Sequence, residues 1–328
     1  MMKLSKIVEE AKTIGISGHI RPDGDCFGST MAIYLYLKKI AKDAKISLML
    51  DSKNENMRDM KYLDDIDTSY EHEGGFDVFF CLDCSYDRMN EKAAKMFEES
   101  KLTVNIDHHI TNANGTGKEN YCFPEVGSAS ELVYELIKND ENSLSYEERM
   151  DSDIALAIYI GIIHDTGVFQ YSNTRPETLI AASELIKFDF DFPRIVEETF
   201  YQKTYVQNQI MGRAMLESVR FLDGRCIVSC VDRRTMDFYE ATPQDLEGIV
   251  NQLRNIKGID CAIFMYELGT FKYKVSLRTT PKVDASKVVS AFGGGGHARA
   301  AGATMEGSYH DCVNNLSKYI AKELEDNK

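Results

Sequence analysis

Six carboxylate or imidazole side chains stand where apolar runs end, so that a buried strand or helix would deliver them to a surface. They are His19, Asp23 and Asp25 in His19-Ile-Arg-Pro-Asp23-Gly-Asp25, Asp83 after Phe79-Phe80-Cys81-Leu82, His108 in Asp107-His108-His109, and Asp165 after the apolar segment Ile154 to Ile163. Hard divalent cations take oxygen donors, and a mixture of imidazole and carboxylate suits manganese, iron or magnesium better than a zinc–thiolate site. Each segment also has a plainer reading. Asp23 and Asp25 on a Pro-Gly turn can satisfy their own backbone as an Asx-turn, and Asp107-His108-His109 can be a polar cap wetted by water. Asp83 resists that treatment, because an ionised carboxylate at the tip of a buried strand is costly unless paired or metal-bound. Taken together the segments favour a shared site, with enough donors for two cations that share one carboxylate. His164 adjoins Asp165, but on a helix it points about 100° away, and it stays outside the set.

Elements that would position these residues alternate along the first half. Short apolar strand candidates lie at 13–19, 45–51, 76–83 and 101–107, and helical patterns at about 28–42, 53–63, 87–99, 128–139 and 151–164. Strands alternating with helices imply βαβ units and an α/β fold with a mostly parallel sheet, in which ligands bind outside the carboxyl ends of the strands. His19, Asp83 and Asp107 all fall at that end. The order changes after about residue 200: strand candidates at 216–222 and 225–232 turn at Asp223-Gly224, a helix follows at 243–256, then strands at 259–267 and 271–280 and helices at 284–291 and 309–325. The expected organisation is a metal-binding catalytic domain over 1–190, a helical connection over 191–213, and a smaller α+β substrate domain over 214–328.

Composition narrows the classes. The net charge of −14 argues against a protein that coats long nucleic acid through phosphate neutralisation. Residues 1–200 carry 21 Lys/Arg against 37 Asp/Glu, and residues 201–328 the remaining 17 against 15, so nearly all of the acidity lies in the half with the candidate ligands. That split fits carboxylates holding cations followed by basic residues holding a small anion, although two unlike surfaces would give it too. No apolar run approaches the roughly 20 residues of a membrane helix, and the amino terminus lacks a signal-peptide core; a cytoplasmic protein without membrane contact is expected. Most of the eight cysteines read as small buried hydrophobes, and Cys81-x-x-Cys84 has no second pair at zinc spacing.

In the second half, Phe292-Gly293-Gly294-Gly295-Gly296-His297 could be a hinge, or a backbone that approaches an anion closely and offers it N–H groups. His297, Arg299 and Arg278 beside it tip the balance towards a clamp for phosphate and base.

The series His19-x-x-x-Asp23-Gly-Asp25-x-x-Gly28-Ser29, Leu82-Asp83, Asn105-Ile-Asp107-His108-His109 and Gly161-x-x-x-Asp165-Thr166-Gly167 resembles the DHH phosphoesterase superfamily. Val275-Ser-Leu-Arg278 and Gly293-Gly-Gly-Gly-His297-Ala-Arg299-Ala-Ala-Gly302 resemble that family's associated substrate domain. The resemblance spans nearly the whole chain and keeps motif order. It implies two divalent cations, usually Mn2+, held by His19, Asp23, Asp25, Asp83, His108 and Asp165, with Asp83 bridging. It implies further that His109 faces the scissile phosphate, that Asp107 supports the cluster, and that Arg278, Gly294, Gly295, Gly296, His297 and Arg299 bind substrate. The implied activity is hydrolysis of short oligoribonucleotides to mononucleotides and of 3′-phosphoadenosine 5′-phosphate to AMP; a phosphodiesterase for cyclic or linear dinucleotides such as cyclic di-AMP and pApA is the alternative, and a homodimer is left open. Cys26-Phe27 departs from the family pattern, which has smaller apolar residues there.

Overall fold

Leu4–Ile7 (α1) opens the chain in the computed structural model, which describes residues 2–53 and 61–327. The chain divides into two compact units, Met1–Gln202 and Lys203–Lys328, a division that falls inside the segment 191–213. In the first unit the strands are Thr13–Ser17 (β1), Lys45–Met49 (β2), Ile66–Asp67 (β3), Val78–Leu82 (β4), Leu102–Asp107 (β5) and Glu119–Cys122 (β6). Among the described residues the remaining α-helices of this unit are Gly24–Ile40 (α2), Glu91–Glu99 (α3), Ala129–Lys138 (α4), Tyr146–Arg149 (α5), Ser152–Asp165 (α6), Pro176–Leu185 (α7) and Phe192–Val196 (α8).

All strand pairs of this sheet are parallel, in the order β3-β2-β1-β4-β5-β6. The chain therefore builds outwards from β1 in one direction and from β4 in the other. The crevice between β1 and β4, at their carboxyl ends, is the topological switch point where such sheets take their ligands. Alternation along the strands makes the sheet two-sided: Ile16, Phe80, Leu82, Val104 and Ile106 pack with α2, α4 and α6, while Met49, Phe79 and Cys81 pack with α3. Helices α2 and α6 are apolar almost all round because both are buried by neighbours on every side. They cross closely: a β-carbon at Gly28 would meet the Ala157 carbonyl and come within 2.8 Å of the Gly161 nitrogen.

Several boundaries differ from the sequence expectation for identifiable reasons. Helix α2 starts at Gly24 rather than about 28, because the Asp23 side chain accepts the Asp25 and Cys26 N–H groups and caps the helix there. The expected turn is thus the first turn of a helix. Strands β3 and β6 are too short to leave an alternation pattern, and the helix expected over 53–63 lies mostly outside the described residues.

The second unit contains Tyr205–Leu216 (α9), Val219–Phe221 (β7), Cys226–Val231 (β8), Arg233–Phe238 (α10), Ile249–Arg254 (α11), Cys261–Gly269 (β9), Lys272–Thr279 (β10), Ala285–Ser290 (α12), Gly295–His297 (β11), Ala300–Glu306 (β12) and Tyr309–Asp326 (α13). Its sheet runs β11-β12-β10-β9-β8-β7 and is antiparallel except for the β8–β9 pair. The helix expected over 243–256 breaks at Gly248, whose φ of 85 follows a 3-10 turn, Pro243–Leu246. The glycine run supplies an edge strand, Gly295–His297.

Candidate metal centre

The six donors converge at the switch point. His19 follows β1, Asp23 caps α2 and Asp25 lies in its first turn, Asp83 follows β4, His108 follows β5, and Asp165 ends α6. Asp83 is 2% exposed and occupies the left-handed backbone region (φ 57), an uncommon conformation that Asp tolerates better than most residues. Its two oxygens face different partners. Oδ2 lies 3.5 Å from His19 Nε2, and Oδ1 lies 3.5 Å from His108 Nε2 and 3.6 Å from His109 Nδ1. His19 Nε2 is also 3.7 Å from Asp23 Oδ1. His108 Nε2 lies 3.4 Å from Asp165 Oδ2 and 3.8 Å from Asp25 Oδ2.

These separations are too long for hydrogen bonds and suit donors arranged around something between them. Asp83 Oδ1 and His108 Nε2 are buried without a hydrogen-bond partner, a condition that buried polar atoms otherwise avoid. The ring nitrogens on the other side are used: His19 Nδ1 contacts the Ile20 carbonyl at 2.8 Å, and His108 Nδ1 the Val126 carbonyl at 3.2 Å. A proton on each Nδ1 leaves Nε2 as a lone-pair donor, the usual arrangement of a metal-ligating histidine. Asp25 receives the Ala129 N–H on Oδ2 (2.6 Å) and the Ser130 N–H on Oδ1 (2.9 Å), so the start of α4 fixes its carboxylate. The donor set and its orphaned atoms fit divalent cations.

Electrostatics agree. Burial opposes charge on His19, but the Asp23 and Asp83 carboxylates outweigh it and push the imidazole up to about 11. The same contest at His108, with Asp83, Asp25 and Asp165 as the opposing groups, pushes it up to about 10. Asp25 is driven well above the usual carboxylate range by burial and by Asp83 and Asp165. So many acids in one buried place demand positive charge, which protons supply when cations do not.

His109 is held differently. Its Nδ1 donates to Asp107 Oδ1 at 2.7 Å, and Asp107 Oδ1 also receives the backbone N–H groups of His108 (2.8 Å) and His109 (3.2 Å). Asn112 Nδ2 donates to Asp107 Oδ2 at 2.6 Å and to Asn105 Oδ1 at 2.8 Å, and Asn105 Nδ2 donates to the Cys81 and Cys84 carbonyls. Asp107 is fully buried. Its hydrogen bond raises the His109 pKa against the opposing effect of burial, leaving Nε2–H as the group available to a ligand.

The DHH family N-terminal domain matches residues 13–162, and the DHHA1 domain matches residues 223–326. The chain belongs to the DHH family. As such it is a metal-dependent hydrolase of phosphoester bonds. It is similar to the bifunctional oligoribonuclease and PAP phosphatase NrnA of Thermus thermophilus, 28% identical over 297 residues that cover 90% of this chain and 84% of the relative. It is also similar to the protein of the same name from Bacillus subtilis, 24% identical over 303 residues that cover 92% of both. Among solved structures, an exopolyphosphatase-related protein from Bacteroides fragilis superposes with a TM-score of 0.88 at 25% identity, over 98% of this chain and 95% of that one.

In the DHHA1 domain Arg278 and His297 lie in one row across β10, β12 and β11. Arg278 in β10 pairs in register with Ala300 of β12 and Ala262 of β9, and His297 in β11 pairs with Ala300. Arg299 Nη1 donates to the Thr280 and Val283 carbonyls, at 2.5 and 3.0 Å. That side chain secures the loop after β10. Gly294 and Gly296 are required by β12: a β-carbon on Gly296, whose φ is 142, would lie 2.6 Å from the Ala300 carbonyl. Gly295 has open space.

Residues of the DHH domain that sequence reading missed are Asn105, Asn112 and the amides of Ala129 and Ser130. The only mark of the α4 contribution was the Ser128 cap, which accepts the Glu131 N–H.

Proposed function

We propose that this DHH-family enzyme hydrolyses short oligoribonucleotides to mononucleotides and 3′-phosphoadenosine 5′-phosphate to AMP, with two divalent cations, Mn2+ by preference. The observation that supports it best is Asp83, a buried carboxylate whose oxygens face two separate sets of donors. His19 and Asp23 would join Asp83 in holding one cation, and Asp25, His108 and Asp165 would join it in holding the other. When bound, such cations act as Lewis acids on the phosphoryl group and lower the pKa of water. The names of the NrnA relatives support the choice of substrates.

The residues of the chain do the rest. His109, kept protonated by Asp107, donates a hydrogen bond to a phosphoryl oxygen and offsets the charge that builds there. Asp107 holds that ring in one tautomer and one orientation, with Asn112 fixing the carboxylate in turn. In the DHHA1 domain, Arg278 and His297, with the backbone of Gly295 and Gly296, would bind phosphate and base; the Gly294 N–H is taken by the Val289 carbonyl. Arg299 shapes that edge through the loop it secures.

The test is chromatography of products from purified protein given 3′-phosphoadenosine 5′-phosphate, RNA dinucleotides, pApA and cyclic di-AMP with Mn2+. Release of AMP and mononucleotides is expected. A folded protein that turns over neither of the first two substrates refutes the assignment, and faster turnover of cyclic di-AMP than of all the others would transfer it to cyclic dinucleotides.

A further inference from the structure

One thiol stands within the donor set. A nitrogen of His19, the sulfur of Cys26 and an oxygen of Asp83 all lie within 4.8 Å of one another. Cys26 is fully buried in the first turn of α2, and its sulfur lies against the α-carbon of Gly18, where a β-carbon would collide with it. The sulfur therefore points at the end of β1, beside the imidazole. The other two cysteines nearby are engaged with each other: Cys81 Sγ donates to the Cys84 carbonyl at 3.3 Å and lies 3.5 Å from Cys84 Sγ. Those two belong to the cluster on the α3 face, whereas Cys26 belongs to the α2 face that carries the ligands. Asp83 turns Oδ2 towards His19 on this side, while Oδ1 faces His108.

We propose that Cys26 is an additional ligand, as a thiolate, to the cation held by His19, Asp23 and Asp83. This rests on the two-cation reading given above. On coordination the S–H bond breaks, a sulfur–metal bond forms and the proton leaves to solvent, as happens when a divalent cation takes a thiol ligand. The consequence is two unlike sites. Sulfur is a soft donor, so the site at His19 favours zinc, iron or cobalt, while the site at His108, with carboxylates and imidazole alone, keeps the preference for manganese. Cys26 thereby determines metal specificity, and a mixed-metal enzyme becomes the state to look for.

The experiment strips the full-length protein of metal under reducing conditions and titrates it with Co2+. A near-ultraviolet sulfur-to-cobalt charge-transfer band is expected in the wild type and in Cys81→Ser, and its loss in Cys26→Ser and Cys26→Ala, which retain the weaker visible bands of cobalt bound by nitrogen and oxygen. Zn2+ affinity falls about tenfold or more in Cys26→Ser, while Mn2+ affinity changes little. X-ray absorption of the zinc-loaded wild type, which needs no variant to fold, should show a sulfur neighbour at about 2.3 Å. Cobalt bound without the band, a band that survives in Cys26→Ser, or a zinc shell of nitrogen and oxygen alone overturns the proposal and leaves the two-cation reading standing. A wild type that binds no cation overturns both.

Discussion

The overall constant for filling both cation sites should fall about a hundredfold, about tenfold for each cation, when the pH drops from about 8 to about 7. In the metal-free protein the His19 imidazole is pushed up to about 11 and that of His108 to about 10, by the carboxylates that face them and against burial. Across that window both rings carry protons, and the Nε2 atom that faces the carboxylates is the atom a cation requires. A bound proton excludes the cation, so affinity rises with pH until the rings lose their protons in the free protein. Each proton displaced changes the binding constant tenfold per pH unit, or about 1.4 kcal/mol. Two of them give about 2.7 kcal/mol between pH 8 and 7. Asp165, pushed up to about 6 by burial and by Asp83 against the pull of His108, adds a third proton below that pH and steepens the fall. The assay is calorimetry of Mn2+ binding to stripped protein in two buffers of different ionisation enthalpy, which reads the affinity and the number of protons together. An affinity that changes less than about threefold over the interval, with heats that do not depend on the buffer, refutes the picture of protons standing in for metal.

Four substitutions test the architecture. Gly28→Ala gains about 1 kcal/mol of intrinsic helix propensity but drives a β-carbon into the Ala157 carbonyl, an overpacking cost of about 1–3 kcal/mol; a lower melting temperature and weaker cation binding are expected, and a higher melting temperature would show that α2 and α6 are free to separate. Asn112→Ala leaves Asp107 Oδ2 short of a buried donor, costing about 1–3 kcal/mol; kcat should drop while calorimetric Mn2+ affinity stays, and an equal loss of both would place Asn112 with the metal ligands. Asp83→Ala should abolish turnover and reduce bound cations below two per chain by metal analysis. Arg299→Ala frees the Thr280 and Val283 carbonyls, so thermal melts should show a weakened DHHA1 domain alongside a raised KM; a raised KM with an unchanged melt would mean that the guanidinium serves substrate alone.

The convergence of the candidate donors was legible because parallel sheets put their chemistry at strand ends. His19, Asp83 and His108 each follow an apolar run long enough to read, and Asp165 ends a helix apolar on all sides. What escaped depends on distance in sequence. Asp25 is fixed by the amides of Ala129 and Ser130, more than a hundred positions away, and no periodicity announces such a pairing. Asn105 and Asn112 resemble ordinary strand and turn residues until the fold places them around Asp107. Gly18 lies inside the strand run 13–19, where the sequence gives no reason for a glycine; a β-carbon there would collide with the Cys26 sulfur. The glycine run carried two meanings at once, and the fold shows why: Gly294 and Gly296 are shaped by the close approach of β12, whereas Gly295 has space around it. Strands β3 and β6, at two and four residues, fall below the length at which alternation can be recognised.

The double hold on Asp25 has a kinetic side. A carboxylate gripped by two amides of α4 cannot swing out to meet an arriving ion, so the centre receives cations with its donors already in place. Little side-chain freedom is lost on capture, and the ion's own dehydration together with proton departure then governs how fast the site fills. Ions that shed water slowly, magnesium above all, would load more slowly than manganese even at equal concentration, which makes the order of metal addition an experimental variable in its own right.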